Sequence, residues 1–515
     1  MKRVIYLNLL VLIILLTACT SRTKIEKPNI IVILVDDMGY SDLGCTGSEI
    51  ETPNLDKMAS EGVLFTNFYN ASRCCPTRAS ILTGQYQWDA GMGHMDYTRS
   101  TIPEYQGYLN KQSVTIAEVL KDNGYQTFMS GKWHVGHEQR DWWPDRRGFE
   151  QFYGTPAGGG IYFYPSKFYD RPVFWNGEQQ HPDSTWYSTD AFTDYSIDYI
   201  KNRREKDKPF FMYLAYIAPH FPLQAKKEDI EKYRETYKVG YDVIRKARFE
   251  KQKKMGIVHD DLPASEPVYP DWDSVENKDV EAMEMAVYAA MVDCLDQNIG
   301  KLFNSLKEES IDENTVVMFL SDNGACQTAW NKTPDAELGS RNCNAGYGIW
   351  YNVSNTPYRM RKSQEHEGGN ITPLIMRWPA GLDKKGEYIR EHAHITDIMP
   401  ACLELAGADY PKTYNGQELD KPDGKSFLPL LSGQEQDDSR AFFWEHEGNT
   451  AVRVGDWKLV SLHKKDWELY NLADDPYELN DLVAQYPDKA EKLLGKYQDW
   501  ANKHGVQAWP LKKKK

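Results

Sequence analysis

The chain offers little to a membrane, since its first apolar run, residues 4–16, is too short for a spanning helix. It is also short of positive charge: 61 Lys and Arg face 75 Asp and Glu, a formal charge of -14. That balance argues against nucleic acid as a partner, because a phosphate backbone is met by a basic surface. An anionic ligand would need cations gathered locally. The eight cysteines have no repeated short spacing, so no disulfide framework is marked and their pairing stays open. What is present is a globular composition over 515 residues, enough for one large domain and a smaller one. The 32 Tyr and 15 Trp suit a buried core first and carbohydrate stacking second.

Lys2 and Arg3 precede residues 4–16, which makes this segment a signal peptide and the chain an exported one. Leu16-Thr17-Ala18-Cys19 then resembles the lipobox of bacterial lipoproteins. The resemblance implies a lipid on Cys19 that tethers the mature protein to a membrane, in the periplasm or at the cell surface. The alternative is an ordinary signal peptide cut near Ala18.

Several apolar runs of strand length stop abruptly at charged or polar residues, with helical patterns between them, an alternation that suggests a parallel sheet. Ile30-Ile31-Val32-Ile33-Leu34-Val35 ends in Asp36-Asp37, and Val316-Val317-Met318-Phe319-Leu320 ends in Ser321-Asp322-Asn323-Gly324. Between them, residues 126–130 lead into Gly131-Lys132-Trp133-His134, and residues 210–217 into Ala218-Pro219-His220. In open α/β sheets a ligand sits beyond the carboxyl ends of the strands, so these four ends are expected to share one pocket. A single Asp-Asp after a strand reads as a cap or turn. With the second acidic end added, Asp36, Asp37, Asp322 and Asn323 offer oxygen only, which points to a hard cation, calcium first and magnesium next, rather than zinc.

Cys74-Cys75-Pro76-Thr77-Arg78-Ala79-Ser80-Ile81-Leu82-Thr83-Gly84 resembles the signature of the type I, formylglycine-dependent sulfatases. That signature runs cysteine or serine, any residue, proline, any residue, arginine, then an apolar stretch closing in threonine-glycine. Only Cys74, not Cys75, sets proline two residues on and arginine four residues on. Similarity to arylsulfatase-like members continues through residues 131–136, Pro219-His220, residues 321–324, residues 355–359 leading to Lys362, and His366-Glu367-Gly368-Gly369. Residues 453–459 and 468–472 look like the family's small C-terminal part. Asn370 departs from the arginine or serine that the family often carries after the two glycines, and residues 328–355 form a polar stretch that leaves the substrate rim open.

The resemblance implies an alkaline phosphatase-like α/β sandwich, with a large mixed sheet flanked by helices and a small C-terminal antiparallel sheet packed with a helix. Its expected divisions are a signal peptide 1–18, a tether 19–27, a catalytic domain 28–435 and a C-terminal subdomain 436–515. It also implies that a maturation enzyme oxidises Cys74 to formylglycine, which with calcium cleaves sulfate esters of carbohydrates or aryl groups. Cys74 then joins Asp36, Asp37, Asp322 and Asn323 around the metal. By analogy with the family, Arg78 holds the nucleophile, Lys132 and Lys362 neutralise sulfate, His134 accepts a proton from the hydrated aldehyde, and His220 protonates the leaving oxygen. The turn into a helix after Pro76 is expected to aim N–H groups at the anion. His94, His137, His366, His392 and His394 are left as rim or structural residues, and Trp142, Trp143, Asp145 and Arg146 as sugar contacts or packing. The rival readings are a phosphatase or phosphonate hydrolase of the same superfamily, and a sulfated-glycan binding lipoprotein without catalysis.

Overall fold

The computed structural model describes residues 26–511 apart from 99, 170, 260, 435 and 436. The signal segment, Cys19, most of the tether, residues 512–515 and the expected junction at 435/436 lie outside the described residues.

The apolar runs form β1 (Asn29–Asp36), β2 (Val63–Tyr69), β3 (Gln126–Lys132), β4 (Gln151–Thr155), β5 (Val173–Trp175), β6 (Glu178–Gln180), β7 (Phe210–Pro219), β8 (Thr315–Ser321), β9 (Ile371–Arg377), β10 (Glu387–Ile389) and β11 (Ala393–His394). They make one sheet in the order β10-β2-β9-β8-β1-β7-β3-β4-β5-β6, with β11 also on β2. Strands β8, β1, β7, β3 and β4 run parallel, whereas β9 is antiparallel to both β8 and β2, and β5 and β6 continue antiparallel at the other edge. The sheet is therefore mixed, with a parallel centre.

Continuous apolar runs rather than alternating ones follow from burial on both faces. Ile31, Ile33 and Val35 of β1 enter one core with Met285 and Phe192 from the helices Lys278–Glu308 and Ser188–Lys201. Ile30, Val32 and Leu34 enter the other, against Ile81, Val119 and Leu403 from the helices Cys74–Thr83, Ile116–Asp122 and Ile398–Ala406. Successive side chains of one strand thus hold two helical layers to one sheet.

A hairpin of β12 (Thr413–Tyr414) and β13 (Gln417–Glu418) leads to a four-stranded antiparallel meander, β14 (Ala441–His446), β15 (Asn449–Val454), β16 (Trp457–Ser461) and β17 (Glu468–Asn471), followed by the helix Pro487–Lys503. Alternation along β14 sets its two faces. Phe442 and Trp444 pack beside Tyr69, and Phe443 stacks on Trp500 of the last helix at 4.8 Å. Trp444 Nε1 donates to the Asn70 carbonyl at 2.8 Å, so the small sheet is fastened to the segment that leads into Cys74. All seven described cysteines are free thiols. No described helix is long and apolar enough to cross a membrane.

Candidate active site

Because β8, β1, β7 and β3 are adjacent and parallel, their carboxyl ends open on one edge of the sheet. Asp322 and Asn323, Asp36 and Asp37, His220, and Lys132 and His134 arrive there together, as the strand ends foretold. The polar residues at these strand ends are buried: Asp36, Lys132 and Asp322 are 0% exposed. Beyond the strands the chain turns at once, with Asp37 at φ 67 and His134 at φ 61. Gly131, at φ 113, permits the close β3–β7 approach, since a β-carbon there would strike the Ala215 carbonyl.

Cys74 is the first residue of the helix Cys74–Thr83. The helix starts two residues before the expected turn, because Pro76 sits in the first turn, where its missing N–H has no partner to lose. Gly84, at φ 70, closes the helix and accounts for the threonine-glycine that ends the motif. All ten helical residues are buried, and they wire the strand ends together. Thr77 Oγ1 donates to the Asp322 carbonyl at 2.7 Å. Arg78, one turn after Cys74, donates to Asp322 Oδ2 at 2.9 Å and to the Lys132 carbonyl at 2.9 Å, and lies 3.5 Å from Asp36 Oδ2. One guanidinium therefore fixes three strands.

Around this helix end stand three carboxylates, Asp36, Asp37 and Asp322, and three cations, Arg78, Lys132 and Lys362. Lys132 Nζ pairs with Asp36 Oδ2, and Lys362 Nζ with Asp37 Oδ1. Asn323 Nδ2 donates to Asp37 Oδ1 at 2.7 Å. Yet Asp36 Oδ1, Asp37 Oδ2 and Asn323 Oδ1 are buried with no hydrogen-bond partner among the described residues. Three orphaned oxygens at one point are costly unless a cation takes them. Burial, then the neighbouring Asp36, pushes the Asp322 carboxyl well up despite Arg78, whereas Lys132, His220 and Arg78 overcome burial and hold Asp36 down. The donors are all hard oxygens, so the residues fit calcium or magnesium. With a dication added, the site becomes net positive and suits an anionic ester.

At position 74 a negative charge is favoured, since a hydrogen bond from Cys75, then Lys132, Lys362 and His134, holds the Cys74 thiol well below its ordinary range against burial. His220 donates through Nδ1 to the Phe221 carbonyl at 2.6 Å, leaving Nε2 toward the site, 3.6 Å from Asp37 Oδ2. Burial lowers its pKa. His134 brings a ring nitrogen within 4.8 Å of Cys74 Sγ.

The remaining histidines lie outside this cluster. His94 pairs with Glu447 at 3.0 Å and stacks on His446, His366 pairs with Glu468, and His392 stacks on Tyr69. His394 is buried, and burial takes its pKa down to about 3. Trp142 stacks on Tyr108, Trp143 packs on Phe174, Asp145 pairs with Arg140, and Arg146 lies 3.9 Å from Asp145. Sequence reasoning missed Asp96, which contacts both His134 and His137, and Asp42, which accepts from the Gly39 N–H and the Tyr288 hydroxyl beneath Asp37. Both stand alone in loops, away from any apolar run that would flag them.

Residues 28–408 match the family model for sulfatases, and residues 361–500 match the one for the C-terminal part of N-sulphoglucosamine sulphohydrolase. An uncharacterised sulfatase of Schizosaccharomyces pombe is 35% identical over 96% of this chain and 97% of its own. An arylsulfatase of Klebsiella aerogenes is 34% identical over 75% of this chain and 88% of its own. Among solved structures, Ps i-CgsB in complex with k-i-k-neocarrahexaose superposes with a TM-score of 0.71 at 27% identity, covering 92% of this chain and 93% of that one. The signature helix, the strand-end acids and these matches coincide, and the chain belongs to the sulfatase family, enzymes that hydrolyse sulfate esters.

Proposed function

We propose that the chain is an exported, lipid-tethered sulfatase that uses formylglycine at position 74 and one calcium ion to release sulfate from sulfated sugars or aryl sulfates. The observation that carries this reading is the convergence of three partnerless oxygens, of Asp36, Asp37 and Asn323, on the start of the Cys74 helix. Asp36, Asp37, Asp322 and Asn323 hold the metal, with position 74 beside them. Calcium supplies positive charge and acidity, and formylglycine, made by a maturation enzyme, supplies the attacking hydroxyl as a hydrated aldehyde.

The chain's own residues do the rest. Lys132 and Lys362 neutralise the sulfuryl oxygens, and Arg78 keeps Asp322 and the Lys132 turn in register. As an imidazolium, His220 gives a proton from Nε2 to the leaving oxygen. His134 takes the proton released at position 74. The sugar reading draws support from the carbohydrate complex of the similar Ps i-CgsB. Residues 28–435 are taken as the catalytic part and 436–515 as the C-terminal part, with the lipid on Cys19.

Peptide mass spectrometry across Cys74, on protein from a host with the maturation enzyme, tests the proposal beside parallel assays with sulfate and phosphate esters. A loss of roughly 18 Da at Cys74, unlike the mass gains of the sulfenic, sulfinic and sulfonic acids, should accompany sulfate release that Cys74→Ala abolishes. An unmodified cysteine in protein that is nonetheless fully active would overturn it, as would faster turnover of phosphate esters. Sugar binding without turnover would favour a binding protein.

A further inference from the structure

Hydrolysis of a sulfate monoester consumes one water and leaves an alcohol, a sulfate dianion and one proton. On the reading above, the hydroxyl at position 74 gives that proton to His134. A neutral imidazole can take it only through a nitrogen that carries no hydrogen, so the tautomer of His134 decides whether it can act. Its own backbone does not set the tautomer. Something on the far side of the ring must.

Asp96 stands there. It is 3% exposed, and it bridges two histidines, with Oδ1 3.5 Å from His134 Nε2 and Oδ2 2.5 Å from His137 Nδ1. The other ring nitrogen of His134, Nδ1, is buried and has no hydrogen-bond partner. The ring as a whole lies against Cys74 and Cys75, with one nitrogen within 4.8 Å of both sulfurs. His137, whose side chain is 29% exposed, is held by its backbone, since Trp143 Nε1 donates to its carbonyl at 2.7 Å. The carboxylate is thus anchored from outside by one histidine while it faces another inside.

We propose that Asp96 is the positioning residue of the catalytic base: it holds hydrogen on His134 Nε2, keeps Nδ1 bare toward position 74, and stabilises the imidazolium once the proton has moved. The O–H bond at position 74 breaks, an N–H bond forms at Nδ1, and Asp96 stays ionised throughout. His137 fixes the angle of the carboxylate through its second oxygen. The proposal rests on the assigned role of His134, and neither histidine partner nor Asp96 belongs to the metal donor set.

Two measurements test it, one of them independent of turnover. Histidine-ring nitrogen NMR of protein that still carries Cys74 should show His134 as the Nε2–H tautomer, and Asp96→Asn, whose amide can offer a hydrogen to Nε2, should shift it toward Nδ1–H. In matured enzyme, Asp96→Asn should lower kcat about a hundredfold or more, the lower range of acid–base catalysis, with KM nearly unchanged. His137→Ala, at the exposed end, should keep the fold and lower kcat by about tenfold, as loss of an outer hydrogen-bond partner does. An Nδ1–H tautomer in the wild type, or both variants at the wild-type kcat, would overturn the assignment. A matured wild type that releases no sulfate would instead sink the functional reading, while the NMR result would still stand.

Discussion

His134 and His220 are both buried histidines at strand ends, yet the proposed mechanism gives them opposite tasks. His220 spends Nδ1 on a neighbouring carbonyl, which leaves Nε2 as the atom that faces the site. A proton donor matters most when the departing oxygen is strongly basic. His220→Gln should therefore lose roughly a hundred- to ten-thousand-fold in rate with an alkyl or sugar sulfate, and far less with the sulfate of an acidic phenol. Rates across a series of aryl sulfates of graded leaving-group acidity check this, and an equal loss along the series would remove His220 from the acid role. Sequence alone nominated both histidines, because each follows an apolar run. It could not tell which nitrogen of either was free.

At the scale of elements, the approach to Cys74 is shared between the large sheet and the small one. Ser72 donates to Glu365 Oε1 at 2.8 Å, and Glu445 lies on β14 nearby. Burial, then the charge of Glu445, pushes Glu365 up to about 8, and burial does the same to Glu445, also to about 8. These folded-state values lie above those of the unfolded chain, so the native protein holds protons that unfolding releases. Their contribution to stability is present in acid and is lost as pH rises from the ordinary glutamate range to about 8. The double variant Glu365→Gln, Glu445→Gln should lose less melting temperature over that interval than the wild type, and parallel melting curves would count against it. This contact was not legible in the sequence. The four strand ends were, because each polar terminus follows directly on an apolar run, and so was the signature helix, because its spacing is contiguous. The start of that helix was misjudged, since proline reads as a breaker until its place in the first turn is known. Contacts such as Trp444 with Asn70 join residues 374 positions apart and leave no local mark.

For the whole molecule, the proposed metal position would also be a structural one. Asp36, Asp37 and Asp322 are buried together with three cations, and the partnerless oxygens of Asp36, Asp37 and Asn323 would gain a partner in a bound dication. Excess chelator should lower the melting temperature and abolish activity together, and calcium should restore both. At a calcium concentration about a hundred times the dissociation constant, the linkage is worth roughly 2.7 kcal/mol. A melting curve indifferent to chelator would count against these oxygens as ligands.

The position of β1 at the centre of the sheet also sets a clock. Its first residue, Asn29, bonds to Phe210 on one side and to Thr315 on the other, 181 and 286 positions later. At synthesis rates of roughly 5–20 residues per second, the ribosome needs about 15–60 s to deliver the second partner after the first strand emerges. Through that interval the segment around Cys74 has already been made but has no sheet to close over it, whereas in the finished protein Cys74 is 2% exposed. The window in which the thiol stays open to chemistry from outside is therefore written into the order of the strands.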